Sequence, residues 1–157
     1  MHVDPKGQRF AALVSTVVLA FVLITGSGWL LAAQAAVFAA GAVFGLRYAP
    51  YGLLFRWLVR RRVLRPSPPG ELEPAGPPRF AQAVGLVMSL TGVAGYAAGI
   101  TPLGIAATAL ALAAAFLNAA FGYCLGCQMY LLIRKFWPGR DVSHGGRPAG
   151  NDKEVPA

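Results

Sequence analysis

The sequence predicts an all-α integral membrane protein of four transmembrane helices. They form two hairpins, with an interfacial helix after helix two. Three observations carry this reading. Charged residues make up 13% of the 157 positions and hydrophobic residues 56%, whereas a soluble domain carries about 25% charged residues. The charges are gathered into a few short segments separated by nearly uncharged stretches. Four of those stretches approach the ~20 residues needed to cross ~30 Å of hydrocarbon.

The first helix is expected over about residues 10–26. Lys6 and Arg9 before it, with Gly26, Ser27 and Gly28 after it, have the layout of a secretory signal. Its opening residues return later in the chain, so it is read as a retained membrane helix. The second helix, about 29–46, follows the tight turn Thr25-Gly26-Ser27-Gly28. The third covers about 81–100, and the fourth, about 103–122, follows Thr101-Pro102. Connections this short dictate antiparallel hairpins.

Residues 51–65 mix large apolar side chains with arginines after Pro50, which is expected to end helix two. An interfacial helix lying on anionic lipid suits that composition, with a surface-packed helix as the alternative. Residues 66–78 are too rich in proline for regular structure and read as an extended linker. A second interfacial segment is expected over 123–136. Residues 138–157 read as a disordered cytoplasmic tail.

Orientation follows from the cations. Lys6 and Arg9 precede helix one, seven arginines from Arg47 to Arg79 lie between helices two and three, and the last five cations follow helix four. The two short turns carry none. All 14 cations therefore fall on one side, which the positive-inside rule makes cytoplasmic. A multi-pass protein of the cell (plasma) membrane with both termini inside is the result. The net charge of +8 belongs to the inner leaflet and not to nucleic acid, because no basic, aromatic-lined groove accompanies it.

The chain also repeats weakly. Arg9-Phe10-Ala11 opens helix one and Arg79-Phe80-Ala81 opens helix three. Ala42-Val43-Phe44-Gly45 ends helix two, and Ala119-Ala120-Phe121-Gly122 sits at the matching place in helix four. These anchors imply a parallel repeat about an axis along the membrane normal, aligning Pro50 with Cys127. Glycines spaced by four, Gly41 with Gly45, Gly95 with Gly99 and Gly122 with Gly126, allow helix backbones to approach closely. They fit a compact bundle and a homodimer equally.

The constellation with chemistry is Cys124-Leu125-Gly126-Cys127, the chain's two cysteines. Three apart on a helix, they share a face at a separation of about 5 Å, which a disulfide can span. If the repeat holds, helix four breaks near Gly122-Tyr123 and a short helix puts Cys124 at its N-terminus, where free N–H groups favour a thiolate. An unbroken helix would offer no such activation. Three readings compete: thiol–disulfide or sulfur transfer, a soft-metal site using Cys124 and Cys127 and shared across a dimer, and simple packing of two small apolar residues. Gln34 and Asn118 are the polar residues inside the apolar runs. Each suits a bond to a neighbouring helix, and Asn118, nearer the thiols, is the better functional candidate. No intramembrane charge is available for ion-coupled transport, and no cofactor motif appears.

The opening Val3-Asp4-Pro5-Lys6-Gly7-Gln8-Arg9-Phe10-Ala11, the start of helix three at Arg79-Phe80-Ala81-Gln82, and above all the run from Phe116 to Cys127 (FLNAAFGYCLGC) resemble the bacterial membrane-protein family catalogued as domain of unknown function 4395. The resemblance covers about residues 2–137. Members of that family are often encoded near thioredoxin-like or rhodanese-like proteins, which implies thiol or sulfur chemistry by association. The expectation is a membrane-anchored thiol–disulfide or sulfur-relay component. Cys124 would attack, Cys127 resolve and Asn118 support, with a cytoplasmic thioredoxin-like or rhodanese-like partner. A non-enzymatic scaffold or small-molecule pore with a structural cysteine pair is the alternative.

Overall fold

The computed structural model describes residues 2–45, 48–65, 67–68 and 73–136. Six helices make up nearly all of it: α1 Pro5–Thr25, α2 Gly28–Phe44, α3 Pro50–Arg60, α4 Gly76–Ala97, α5 Thr101–Phe121 and α6 Leu125–Phe136. Two short strands, β1 His2–Val3 and β2 Glu73–Pro74, pair antiparallel and tether the N-terminus to the linker. The expected tail, 138–157, lies outside the described residues.

Helix starts differ from the hydropathy boundaries for a local reason. Asp4 caps α1 through its Oδ1, which accepts the Lys6 N–H at 2.9 Å, and Pro5 fills the first helical position. Pro77 and Pro78 fall in the first turn of α4. Proline lacks the N–H that a first turn leaves unsatisfied, so it starts helices well. Residues 76–78 are therefore helix and not extended linker. By the same logic Pro50 begins α3 instead of ending α2. Helix α2 stops earlier, at Phe44, where Gly45 has φ 86°. The segment expected as 51–65 is helical only to Arg60.

The helices α1, α4 and α5 are long and apolar enough to cross a membrane, and α2 is a shorter apolar helix of 17 residues. Large side chains point outward, among them Leu13, Val17 and Phe21 on α1 and Ile105 and Leu110 on α5. Much of the interior is small or polar instead: Ala11, Ala12, Ser15, Ser89, Gly92 and Thr108 are buried, around a core of Leu19, Val22, Leu31 and Phe38. This order is compatible with a membrane protein, because lipid would provide no drive to bury large apolar groups and small residues let helices meet. At the tightest crossing of α4 and α5, a Cβ on Gly95 would lie 2.7 Å from the Gly104 backbone nitrogen.

The most extensive packing runs between the two hairpins, α2 on α4 and α1 on α5, and α1 touches α2 comparatively little. Arginines lock these cross-pairs. Arg79, at the start of α4, donates to the carbonyls of Ala42 (3.1 Å) and Val43 (2.6 Å) at the end of α2. Arg9, early in α1, donates to the Ala120 carbonyl near the end of α5 at 3.3 Å. Each cation meets the negative end of a helix whose last carbonyls lack partners. Ring pairs follow the same scheme: Phe10 of α1 meets Phe55 of α3, and Phe80 of α4 meets Tyr130 of α6, both at 5.8 Å between centroids.

Candidate functional site

The chain breaks just before the cysteines. Helix α5 ends at Phe121, and Gly122 takes the left-handed conformation (φ 69°), which glycine adopts without steric cost. The Gly122 N–H reaches the Asn118 carbonyl at 3.0 Å, and the Tyr123 N–H reaches the Leu117 carbonyl at 3.3 Å. This satisfies carbonyls at the end of α5. Helix α6 then starts at Leu125, two residues later than expected. Its first backbone bond runs from the Gln128 N–H to the Cys124 carbonyl at 3.0 Å. Cys124 is thus the capping residue of α6. Pro50 is the first residue of α3 and Leu125 that of α6, so these helix starts lie two positions off the expected alignment of Pro50 with Cys127.

The capping geometry is made by sulfur. The backbone N–H of Cys127 donates to Cys124 Sγ at 3.3 Å, where a serine or aspartate oxygen would usually accept. Both cysteines are half-buried thiols. Hydrogen bonding from the Cys127 side chain pulls the Cys124 thiol below its ordinary value, to about 7. Burial pushes the other way, and the Cys127 N–H, the Gln8 amide and the Gly126 N–H add to the lowering. Near neutral pH a large fraction of Cys124 is therefore thiolate, the nucleophilic form.

Two neighbours hold the pair in place. Gln8 of α1, itself buried, donates from Nε2 to Cys127 Sγ at 3.6 Å. Gly126, between the cysteines, sits against Ala81 of α4, where a Cβ would come within 2.5 Å of the Ala81 Cα. A cavity of about 250 Å³ opens beside the pair among α1, α2, α4, α5 and α6. Cys124 and Asn118 both line it, as do Gln8, Ser15 and Gln82, and Cys127 stands outside its lining. Gln34 plays a different part. It donates to Ser15 Oγ at 3.1 Å and accepts from the Tyr51 hydroxyl at 2.6 Å, tying α2 to α1 and α3. Among the described residues no group of three or more potential metal ligands occurs.

Gln8 and Gln82 belong to the motifs at the starts of helices one and three, but nothing in the sequence gives them a place at the site, although each is an uncharged polar residue close to the start of an otherwise apolar helix. No local pattern singles out Gly126 as the contact with Ala81.

Neither a curated protein nor a solved structure matches the chain. The family described as Domain of unknown function (DUF4395) matches residues 3–135, a span that includes Gln8, Asn118 and both cysteines. The chain belongs to this DUF4395 family.

Proposed function

We propose that the chain is a membrane-anchored thiol–disulfide or sulfur-relay component. Cys124 attacks, Cys127 resolves, and the partner is a cytoplasmic thioredoxin-like or rhodanese-like protein. The observation that supports this most is the capping position of Cys124, whose sulfur accepts the Cys127 N–H at 3.3 Å. A packing cysteine has no need of that bond, while a nucleophile gains thiolate character from it. The reaction is a reversible exchange: the Cys124 thiolate attacks a partner's disulfide, expelling one partner thiolate and forming a mixed disulfide, and Cys127 then displaces the partner from Cys124. With a persulfide, attack on its outer sulfur expels the partner's thiolate and leaves the sulfur on Cys124 as a persulfide. Asn118, in the same cavity wall, is proposed to support the reacting group.

The proposed setting is a four-span protein of the cell membrane with both termini cytoplasmic. Helix α2 counts as the fourth span, since 17 residues lie at the short end of the crossing range. The one-sided cations support the orientation. An internal parallel repeat of α1–α3 on α4–α6 is supported by the matched arginine caps and ring pairs.

The test is mixed-disulfide trapping in cells. Cys127→Ser should accumulate a covalent adduct with a cytoplasmic partner, because the resolving thiol is gone, and Cys124→Ser should accumulate none. If neither variant traps a partner and the double serine variant keeps full cellular function, the pair is packing and the proposal fails.

A further inference from the structure

The cavity beside Cys124 restricts what the pair can meet. Its 250 Å³ equals about eight water volumes at roughly 30 Å³ each, enough for one substituted six-membered ring. Among the described residues that line it there is no Asp, Glu, Lys, Arg or His, and Cys124 is the one group that ionises near neutral pH. An anion placed there would meet a thiolate and no countercharge, and a cation only that single thiolate, so the walls suit an uncharged occupant. The walls are largely apolar, with Phe38, Val84 and Met88 among them. Leu110 and Met129, also in the wall, are 62% and 48% exposed on the outside of the bundle. On the proposed topology that outside is lipid, so the cavity is reached from the bilayer.

The polar groups on the wall other than Cys124 are neutral. Gln8, Gln82 and Asn118 contribute amides and Ser15 a hydroxyl. A side-chain amide has two N–H donors, and Gln8 uses one on Cys127. Donors therefore remain for carbonyl oxygens of a bound ring. A lipid-soluble, uncharged ring with two carbonyls that also reacts with a thiol pair is a quinone. We propose that this cavity binds a quinone ring against Cys124, and that the quinone is the electron acceptor of the cysteine pair.

The acceptor role rests on the thiol–disulfide reading above. The balance is simple. The thiols of Cys124 and Cys127 lose two electrons and two protons, and one S–S bond forms. The quinone gains both electrons and both protons, its two carbonyls becoming the hydroxyls of a quinol. A cytoplasmic dithiol then reduces the new disulfide by the exchange proposed above, run in reverse. Electrons pass from soluble thiols to a membrane carrier on one face of the bilayer, so a single cysteine pair suffices.

The test uses the full chain in lipid nanodiscs with tetramethyl-p-benzoquinone, a ring with no tail and no free carbon for thiol addition. Binding is measured by equilibrium dialysis against empty nanodiscs, on the Cys124→Ser/Cys127→Ser protein so that no redox step intervenes. Saturable binding is expected, weakened about tenfold or more by each of two filling substitutions, Ala111→Leu and Ala114→Phe, in proteins that keep a cooperative melt. Tetramethylbenzene, of the same shape without carbonyls, should not compete. No saturable binding, binding indifferent to both fillers, or equal competition by tetramethylbenzene overturns the site. The reduced native pair should then yield one quinol per chain as its thiols disappear. A pair that trades disulfides with soluble dithiols but leaves the quinone unreduced overturns the acceptor role while the thiol–disulfide reading stands. A pair inert toward soluble disulfides and quinone alike overturns the thiol–disulfide reading itself and the acceptor role with it.

Discussion

Gly126 and Ala81 touch so closely that the backbones of α6 and α4 meet there, with 2.6 Å between an added Cβ and the Ala81 Cβ. The residue between the two cysteines is thus the contact that seats their helix. Both obstructing groups are short and belong to, or sit directly on, the α4 backbone, so neither can swing away. Gly126→Ala should cost about 1–3 kcal/mol through overpacking and shift α6 away from Gln8. The expected result is a lower melting temperature in detergent together with a changed alkylation rate at Cys124. An unaltered rate and melt would mean that α6 accommodates the methyl by sliding.

The thiols should separate in a pH profile. With its value lowered to about 7, Cys124 should show an alkylation rate that climbs through pH 7 and levels off above it. A free cysteine climbs through about 8.5. Cys127→Ala removes the largest lowering contribution, so the Cys124 midpoint should move upward. A midpoint that stays at about 7 in that variant would assign the effect to the Cys127 and Gly126 N–H groups and the Gln8 amide.

The arginine caps should be unequal. Arg79 makes two bonds to carbonyls of α2, one at 2.6 Å, whereas Arg9 makes one of 3.3 Å to α5. Both side chains are exposed, so each contributes on the order of 1 kcal/mol or less after solvent screening. Arg79→Ala should lower the melting temperature more than Arg9→Ala. The reverse order would show that the geometry at Arg9 understates its contribution.

Asp4 couples the first helix to the linker. Its carboxylate caps α1 and also accepts the Ser67 N–H at 3.1 Å. Partial burial pushes its pKa up, and the bonds from Ser67, Lys6 and Gly7 outweigh this and hold it below the usual carboxylate value. A carboxyl with a depressed folded-state pKa stabilises the fold above its unfolded value, 3.8, and loses that contribution as pH falls through the depressed one. Asp4→Ala should cost about 1 kcal/mol at neutral pH. The gap between native and Asp4→Asn proteins, followed by thermal melting, should close as the pH drops below about 4.

The proposed topology is open to labelling in intact cells. In a background lacking both native cysteines, Ser27→Cys and Thr101→Cys should react with an impermeant maleimide from outside, and Pro68→Cys should not. Outside labelling at position 68 would invert the arrangement.

What the sequence determined by itself was the helical, apolar character of the chain and the family it belongs to; the interruption before Cys124 followed from it only on condition of the internal repeat. These are carried by local composition: uninterrupted apolar runs, glycine and proline at helix ends, and one long motif. Even the misplaced start of α4 traces to a local rule, since Pro77 and Pro78 count toward a linker by composition and serve as first-turn residues in the fold. Only the tertiary structure decided which helices meet. Cross-pairing of α1 with α5 and α2 with α4, the Gln8 bond to Cys127 and the Gly126 contact with Ala81 join residues from 36 to 119 positions apart, and the cavity at Asn118 draws on five helices. In a water-soluble bundle an amphipathic stripe would mark the inward face of each helix. Here large apolar residues cover the outside and small ones fill much of the inside, so hydrophobic periodicity is weak and the packing faces leave little trace in the chain.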